Sequence, residues 1–213
     1  MRVVLLDNRD SFVYNLVDLF AYQGAKIEVY RNNVALETVL QALKPTAEEQ
    51  AAGQRPLLCL SPGPGHPREA GCLMDLVERA LADGIPTLGI CLGFQAMVES
   101  CGGVIDRVGP VHGQASAVNL TTEGRQDESF GDLDDTFEVA RYHSLGTTEL
   151  PAQLVSLAAT EEGVVMAAKH HQQPMIGLQF HPESILTPAG PQLIKNLLKE
   201  LSQTETQHAK DAK

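Results

Sequence analysis

No apolar run in this chain approaches the roughly 20 residues of a membrane span, so no membrane partner is expected. The opening "MRVVLLDNRD" meets an acidic residue at Asp7, which leaves its apolar stretch too short for a signal-peptide core. It reads instead as the first strand of a cytoplasmic protein. Basic side chains are also scarce: 16 Lys and Arg against 27 Asp and Glu leave a net charge of −11. Phosphate neutralisation requires the opposite balance, which argues against a nucleic-acid partner; the acidity is also compatible with nothing more than solubility. Cysteine is sparse. Cys59, Cys72, Cys91 and Cys101 have neither C-x-x-C spacing nor the density of a disulfide-built domain, so reduced thiols are expected. No G-x-G-x-x-G follows the first strand, which argues against dinucleotide binding. No repeat or change of composition divides the chain. One domain over 1–202 and a polar tail over 203–213 are expected.

What the chain does contain is alternation. Short apolar runs, "VVLLD" at 3–7, "LLCLS" at 57–61 and "PTLGI" at 86–90, suit strands covered on both faces of a parallel sheet. Helical spacing fills the gaps. "DSFVYNLVDLFAYQG" has Asp10 or Ser11 as N-cap and Gly24 as a stop, "CLMDLVERALADG" ends at Gly84, and "FQAMVESCGG" ends at Gly102 and Gly103. The pattern predicts an α/β fold with a mostly parallel sheet flanked by helices. Beyond about residue 104, "ASAVNL", "TFEVARY", "LVSLAAT" and "VVMAAKH" predict antiparallel additions to the sheet edge or a small second sheet. The stretches 44–56 and 121–135 read as a polar connection and an acidic loop. A last helix is expected over 189–201, with Leu193, Leu197 and Leu201 on one stripe.

Residues 89–93, "GICLG", carry the nucleophile-elbow pattern with sulfur in place of hydroxyl oxygen. The required strand precedes it and a helix follows. The turn would set Cys91 at a helix N-terminus, where free amides and the dipole favour thiolate. The N–H of Leu92 would be poised to meet an oxyanion. A buried cysteine in a glycine-rich turn fits the pentapeptide equally well, and core packing is the better reading of Cys59, Cys72 and Cys101.

Two other strand ends strengthen the elbow. "PMIGLQFHPES" closes on His181-Pro182-Glu183, and proline biases His181 towards extended geometry. Residues 181 and 183 would then share a face, letting the carboxylate orient the imidazole. His66, His112, His143, His170 and His171 compete as bases; His170 and His171 adjoin in a polar loop without metal-ligand context. "LSPGPGHP", 60–67, offers backbone donors at Ser61, Gly63, Gly65 and His66, of which Gly63 is favoured. In a parallel sheet these three loops gather at the carboxyl edge, where α/β ligands bind.

Together "LLDNRDSFVYNL", "LSPGPGHPREAG", "LGICLGFQAM", "ARYHSLG" and "GLQFHPESILTPAG" resemble the class I (triad) glutamine amidotransferases over about residues 2–200. They look like the branch serving chorismate-using synthases, the small subunits of anthranilate synthase and of aminodeoxychorismate synthase. The resemblance implies that Cys91 attacks the side-chain amide of L-glutamine, with Leu92 and Gly63 stabilising the oxyanion. It implies His181 as the acid and base and Glu183 as its orienter. It places Gly63, Pro64, Gly65, Gln95, Ser144 and Leu145 against glutamine. It implies no metal or cofactor in this chain, a chorismate-binding partner that uses Mg2+, and ammonia passed to that partner within a hetero-oligomer. "EAGC" and "ESILT" lean towards anthranilate synthase, with aminodeoxychorismate synthase, or one subunit shared by both, as the alternative. Phe94 departs from the family's frequent "CLGHQ", and retained chemistry is expected. A stand-alone cysteine hydrolase or peptidase is the rival of a different class. A non-enzymatic subunit is disfavoured by the intact Cys91, His181 and Glu183.

Overall fold

The computed structural model describes residues 1–109 and 113–202. The polar tail over 203–213 and His112 lie outside the described residues. The chain begins with β1 (Arg2–Asp7), α1 (Val13–Tyr22), β2 (Lys26–Arg31), α2 (Leu36–Ala42) and α3 (Ala47–Ala51). Next come β3 (Leu57–Leu60), a 3-10 turn at Pro67–Glu69, α4 (Leu73–Asp83), β4 (Thr87–Ile90) and α5 (Leu92–Ser100). The second half holds β5 (Asp106–Arg107), β6 (Gln114–Leu120), α6 (Thr122–Gln126), β7 (Thr136–Arg141), β8 (Leu145–Gly146) and β9 (Leu154–Ala159). It closes with β10 (Val165–His170), β11 (Met175–Leu178) and α7 (Gly190–Ser202).

A nine-stranded sheet runs β2-β1-β3-β4-β11-β10-β9-β6-β7. Its first five strands are parallel. The remaining pairings are antiparallel. The later strands therefore extend the main sheet, and the separate two-stranded ladder is only β5 with β8. Alternation in β1 divides the core: Val3 and Leu5 pack with α1 and α7, while Val4 and Leu6 pack with α2, α4 and α5. Helices on both faces explain why β1, β3, β4 and β11 are buried almost throughout. On α7, Leu193, Ile194, Leu197 and Leu201 are all buried. Each such side chain removed from water is worth about 1.5–3 kcal/mol.

Several expectations need correction. The connection over 44–56 contains α3, whose Thr46 and Glu49 form a reciprocal capping box. The loop over 121–135 contains α6, started by the Thr121 side chain accepting from Gly124 N–H. Neither Asp10 nor Ser11 caps α1, because Asp10 Oδ2 accepts the Phe12 N–H in a turn before the helix begins. Cys72 and Cys101 stand at the caps of α4 and α5 and not within them. His170 ends β10, where its Nδ1 accepts from Gln172 and Gln173 N–H. Gly24, with φ +80°, and Gly84, with φ +59°, do stop their helices in the left-handed region.

The consequence for chemistry is the order β1, β3, β4, β11 across four neighbouring parallel strands. Their carboxyl ends open into residues 8–12, "SPGPG", Cys91 and the His181 segment respectively. The chain turns outward from β1 to β2 and then returns to β3, so a crevice forms at this edge.

Candidate active site

Cys91 occupies the turn between β4 and α5 with φ 52° and ψ −98°. Only Cys91 and Arg9 among the described non-glycine residues have positive φ. Such a conformation persists only where the surroundings enforce it, and it costs on the order of 1–3 kcal/mol. Here the enforcement is visible. Cys91 N–H donates to Leu178 O at 2.7 Å, and Cys91 O accepts from Gln95 N–H at 3.0 Å. A Cβ on Gly89 would lie 2.7 Å from the Gly93 carbonyl, and one on Gly93 would lie 2.6 Å from Leu60 Cβ. Both elbow glycines are therefore required by close packing of strand, turn and helix. Leu92 opens α5, where the first amides have no partner within the helix.

His181 follows β11 and is held in an isolated bridge with Ala140. Thr187 fixes this segment: its hydroxyl donates to His181 O at 2.7 Å and accepts from Ala140 N–H at 2.9 Å. Glu183 Oε1 lies 2.7 Å from His181 Nδ1, with the carboxylate side chain only 2% exposed. The Tyr142 ring meets the imidazole edge-on, centroids 5.1 Å apart. The His181 Nε2 is buried and makes no hydrogen bond of ordinary geometry. Burial alone would lower the pKa of His181, but Cys91 and Glu183 outweigh it and hold the imidazole well above its ordinary value. A buried sulfur thus faces an imidazole that favours its charged form, oriented from behind by a carboxylate. This set can perform nucleophilic acyl transfer with proton delivery.

Gly63 sits against the first turn of α5. A Cβ there would lie 3.0 Å from Leu92 Cδ2 and 2.6 Å from Asn8 Cβ. Gly63 thus neighbours the Leu92 side chain at the start of α5. Asn8 secures the loop by donating N–H to Ser61 Oγ and Nδ2–H to Ser61 O, both at 2.8 Å. Pro64 and Gly65 lie on the exposed end of that loop, and Gly65 has φ +79°. Gln95 is buried and donates from Nε2 to Leu145 O at 2.9 Å. Ser144 is exposed beside it, its carbonyl accepting from Val108 N–H at 3.0 Å.

Among the competing histidines, burial first of all drives His143 down to about 4, so its ring is neutral near pH 7. His66 caps the 3-10 turn and lies 3.7 Å from Glu99. Phe94 is fully buried, with its ring over Gly177 of β11. Its departure from histidine is therefore absorbed in the core and leaves the cleft surface untouched. Sequence reasoning missed Asn8, Thr187 and Gln179 as supporting residues. Gln179 is fully buried, accepts from Gln95 Nε2 at 3.2 Å and donates to Cys91 Sγ at 3.7 Å. Its one legible signal is a carboxamide inside the apolar run "MIGLQF".

The family model for glutamine amidotransferase class-I matches residues 4–201. The chain is 45% identical to "Anthranilate synthase component 2" of Corynebacterium glutamicum, over 94% of this chain and 98% of that one. It is 40% identical to the protein of that name in Haemophilus influenzae, over 94% and 97%. It is 42% identical to "Anthranilate synthase component 2, pyocyanine specific" of Pseudomonas aeruginosa, over 93% of each. The fold resembles a solved structure of a putative GMP synthase subunit from Thermoplasma acidophilum, with TM-score 0.80, 20% identity and 97% and 96% coverage. A glutamine amidotransferase from Thermotoga maritima gives TM-score 0.70 at 18% identity, covering 94% of this chain and 97% of that one. With the described sheet edge and its cysteine elbow, these matches establish that the chain belongs to the class-I glutamine amidotransferases.

Proposed function

We propose that this chain is the glutaminase subunit of anthranilate synthase, releasing ammonia from L-glutamine for a chorismate-binding partner subunit. The observation that carries the chemical part is the left-handed Cys91 facing His181, with Glu183 at 2.7 Å behind the imidazole. The branch is supported by relatives at 38–45% identity over most of the chain that bear the component 2 name.

In this reading the Cys91 thiolate attacks the side-chain carbonyl carbon of glutamine. The developing oxyanion accepts from the N–H groups of Leu92 and Gly63. The carbon–nitrogen bond then breaks, His181 gives its proton to the departing nitrogen, and ammonia leaves behind a γ-glutamyl thioester. His181 next takes a proton from water, whose oxygen attacks the thioester carbon. Glutamate departs and the thiolate returns. Glu183 keeps Nδ1 protonated so that Nε2 exchanges the proton. Gln95 and the Ser144-Leu145 backbone hold the amino-acid end of the substrate, and the glycine-rich loop at Gly63, Pro64 and Gly65 covers its amide.

The test combines this chain with the chorismate-binding subunit, chorismate, and either glutamine or ammonium. Cys91→Ala is expected to abolish glutamine-dependent product while ammonium-dependent product survives, and the product is expected to be anthranilate. Full glutamine-dependent synthesis by Cys91→Ala would refute the nucleophile. Aminodeoxychorismate as the product would move the chain to the other branch.

A further inference from the structure

A continuous path of hydrogen bonds through four buried side chains ends on the proposed nucleophile, and its polarity is fixed from the far end. Arg141 is a donor only, and its Nε lies 3.4 Å from His143 Nε2, which must therefore present a lone pair. The neutral ring of His143 then carries its hydrogen on Nδ1, 2.8 Å from Leu145 O. The other lone pair of Leu145 O takes Gln95 Nε2–H at 2.9 Å. That contact orients the Gln95 amide, because a carbonyl cannot donate. The same Nε2 reaches Gln179 Oε1 at 3.2 Å, so Gln179 turns its NH2 towards Cys91 Sγ at 3.7 Å. Each assignment forces the next, and the four side chains are at most 7% exposed.

The backbone anchors the same end. Gln179 N–H donates to Met166 O at 2.9 Å, while the neighbouring Leu178 O accepts Cys91 N–H at 2.7 Å. Consecutive residues thus hold the strained cysteine by its amide and by its sulfur. Gly146 borders the carboxamide: a Cβ there would lie 3.5 Å from Gln179 Oε1, an ordinary contact, and a tighter 3.1 Å from Val108 Cγ2.

We propose that Gln179 is a positioning residue that holds the Cys91 sulfur in its attacking rotamer and ties it, through Gln95, to the Leu145 segment. This rests on Cys91 being the nucleophile. An amide N–H aimed at sulfur stabilises the anionic form without competing for its proton. His181 remains the ionisable group that faces Cys91, with Glu183 behind it, and its charge is felt in turn by Asp10 and His143 on their own segments.

The experiment measures glutaminase kinetics with the partner subunit, and iodoacetamide alkylation of Cys91 against pH, read on its own peptide by mass spectrometry. Gln179→Glu keeps shape and the acceptor for Gln95 but removes the donor; Gln179→Leu removes both. Both variants are expected to lose about tenfold in kcat with KM for glutamine within about twofold. Their alkylation profiles are expected to move about one pH unit to the alkaline side, as loss of a hydrogen bond to the charged form requires. Unchanged profiles and kcat in the folded variants would overturn the proposal. Loss of folding in both would do so too, since Gln179 would then be holding the fold rather than the thiol. Cys91→Ala run alongside separates the two levels. If it still hydrolyses glutamine, the nucleophile reading fails; if it is inactive while Gln179→Leu behaves as the unsubstituted chain, only the role of Gln179 fails.

Discussion

At the scale of residues, function is concentrated where local preference is violated. A cysteine at φ 52° has no intrinsic reason to adopt that conformation, and it is held there by Leu178, the elbow glycines and the start of α5. His143 is a second group held against its usual preference, a buried imidazole kept neutral. Its pKa is depressed to about 4, so between about 6.5 and 4 the unfolded chain binds a proton that the folded chain refuses. Its stability contribution is therefore intact above about 6.5 and is lost as pH falls through that window. His143→Asn preserves a donor for Leu145 O and removes the titration. Urea unfolding of this variant from pH 7 to pH 4 is expected to be shallower in pH than that of the unsubstituted chain. The difference in slope is at most one proton, about 1.4 kcal/mol per pH unit. Cys91, His181 and Glu183 were legible because glycine, proline and spacing mark them. Gln179 and Asn8 were not, because a buried amide reveals its role only through the neighbours that satisfy it.

At the scale of elements, the elbow is a packing problem solved by glycine. Gly93→Ala would drive a methyl group into Leu60 of β3, displacing the strand or the helix that carries Cys91. A loss of about 2 kcal/mol or more in unfolding free energy is expected, with glutaminase activity falling alongside it. Phe94→Ala should instead cost about 3–5 kcal/mol by opening a cavity beside Gly177 and Met97. The glutamine KM of whatever remains folded should be unchanged, because the ring does not face the cleft. The buried strands β1, β3, β4 and β11, the late strands β6, β7, β9 and β10, and the helices α1, α4, α5 and α7 were readable from period and punctuation, while β2, β5, β8 and α2 were not named. The short α3 and α6 were missed because their signals are single caps, Thr46 with Glu49 and Thr121, in otherwise polar sequence. Placement of the late strands in the main sheet depended on pairings between distant segments that periodicity does not encode.

At the scale of the whole molecule, four neighbouring strand ends bring Asn8, Gly63, Cys91 and His181 from distant parts of the chain onto one crevice, in keeping with the α/β rule for ligand sites. Cys91, His181 and the Gly63 loop, which the proposed mechanism uses as nucleophile, acid–base group and oxyanion donor, arrive on separate segments, so the fold itself brings them together. The described residues include no helix long and apolar enough to cross a membrane. In the proposed mechanism this assembled edge cleaves glutamine through a covalent bond to Cys91. The most direct measurement is an acid quench of the chain turning over glutamine with its chorismate-binding partner and chorismate, followed by peptide mass spectrometry. A γ-glutamyl thioester on the peptide that carries Cys91, absent from Cys91→Ala, is the expected result. An adduct on Cys59, Cys72 or Cys101 instead, or glutamate released by Cys91→Ala at the unsubstituted rate, would contradict it.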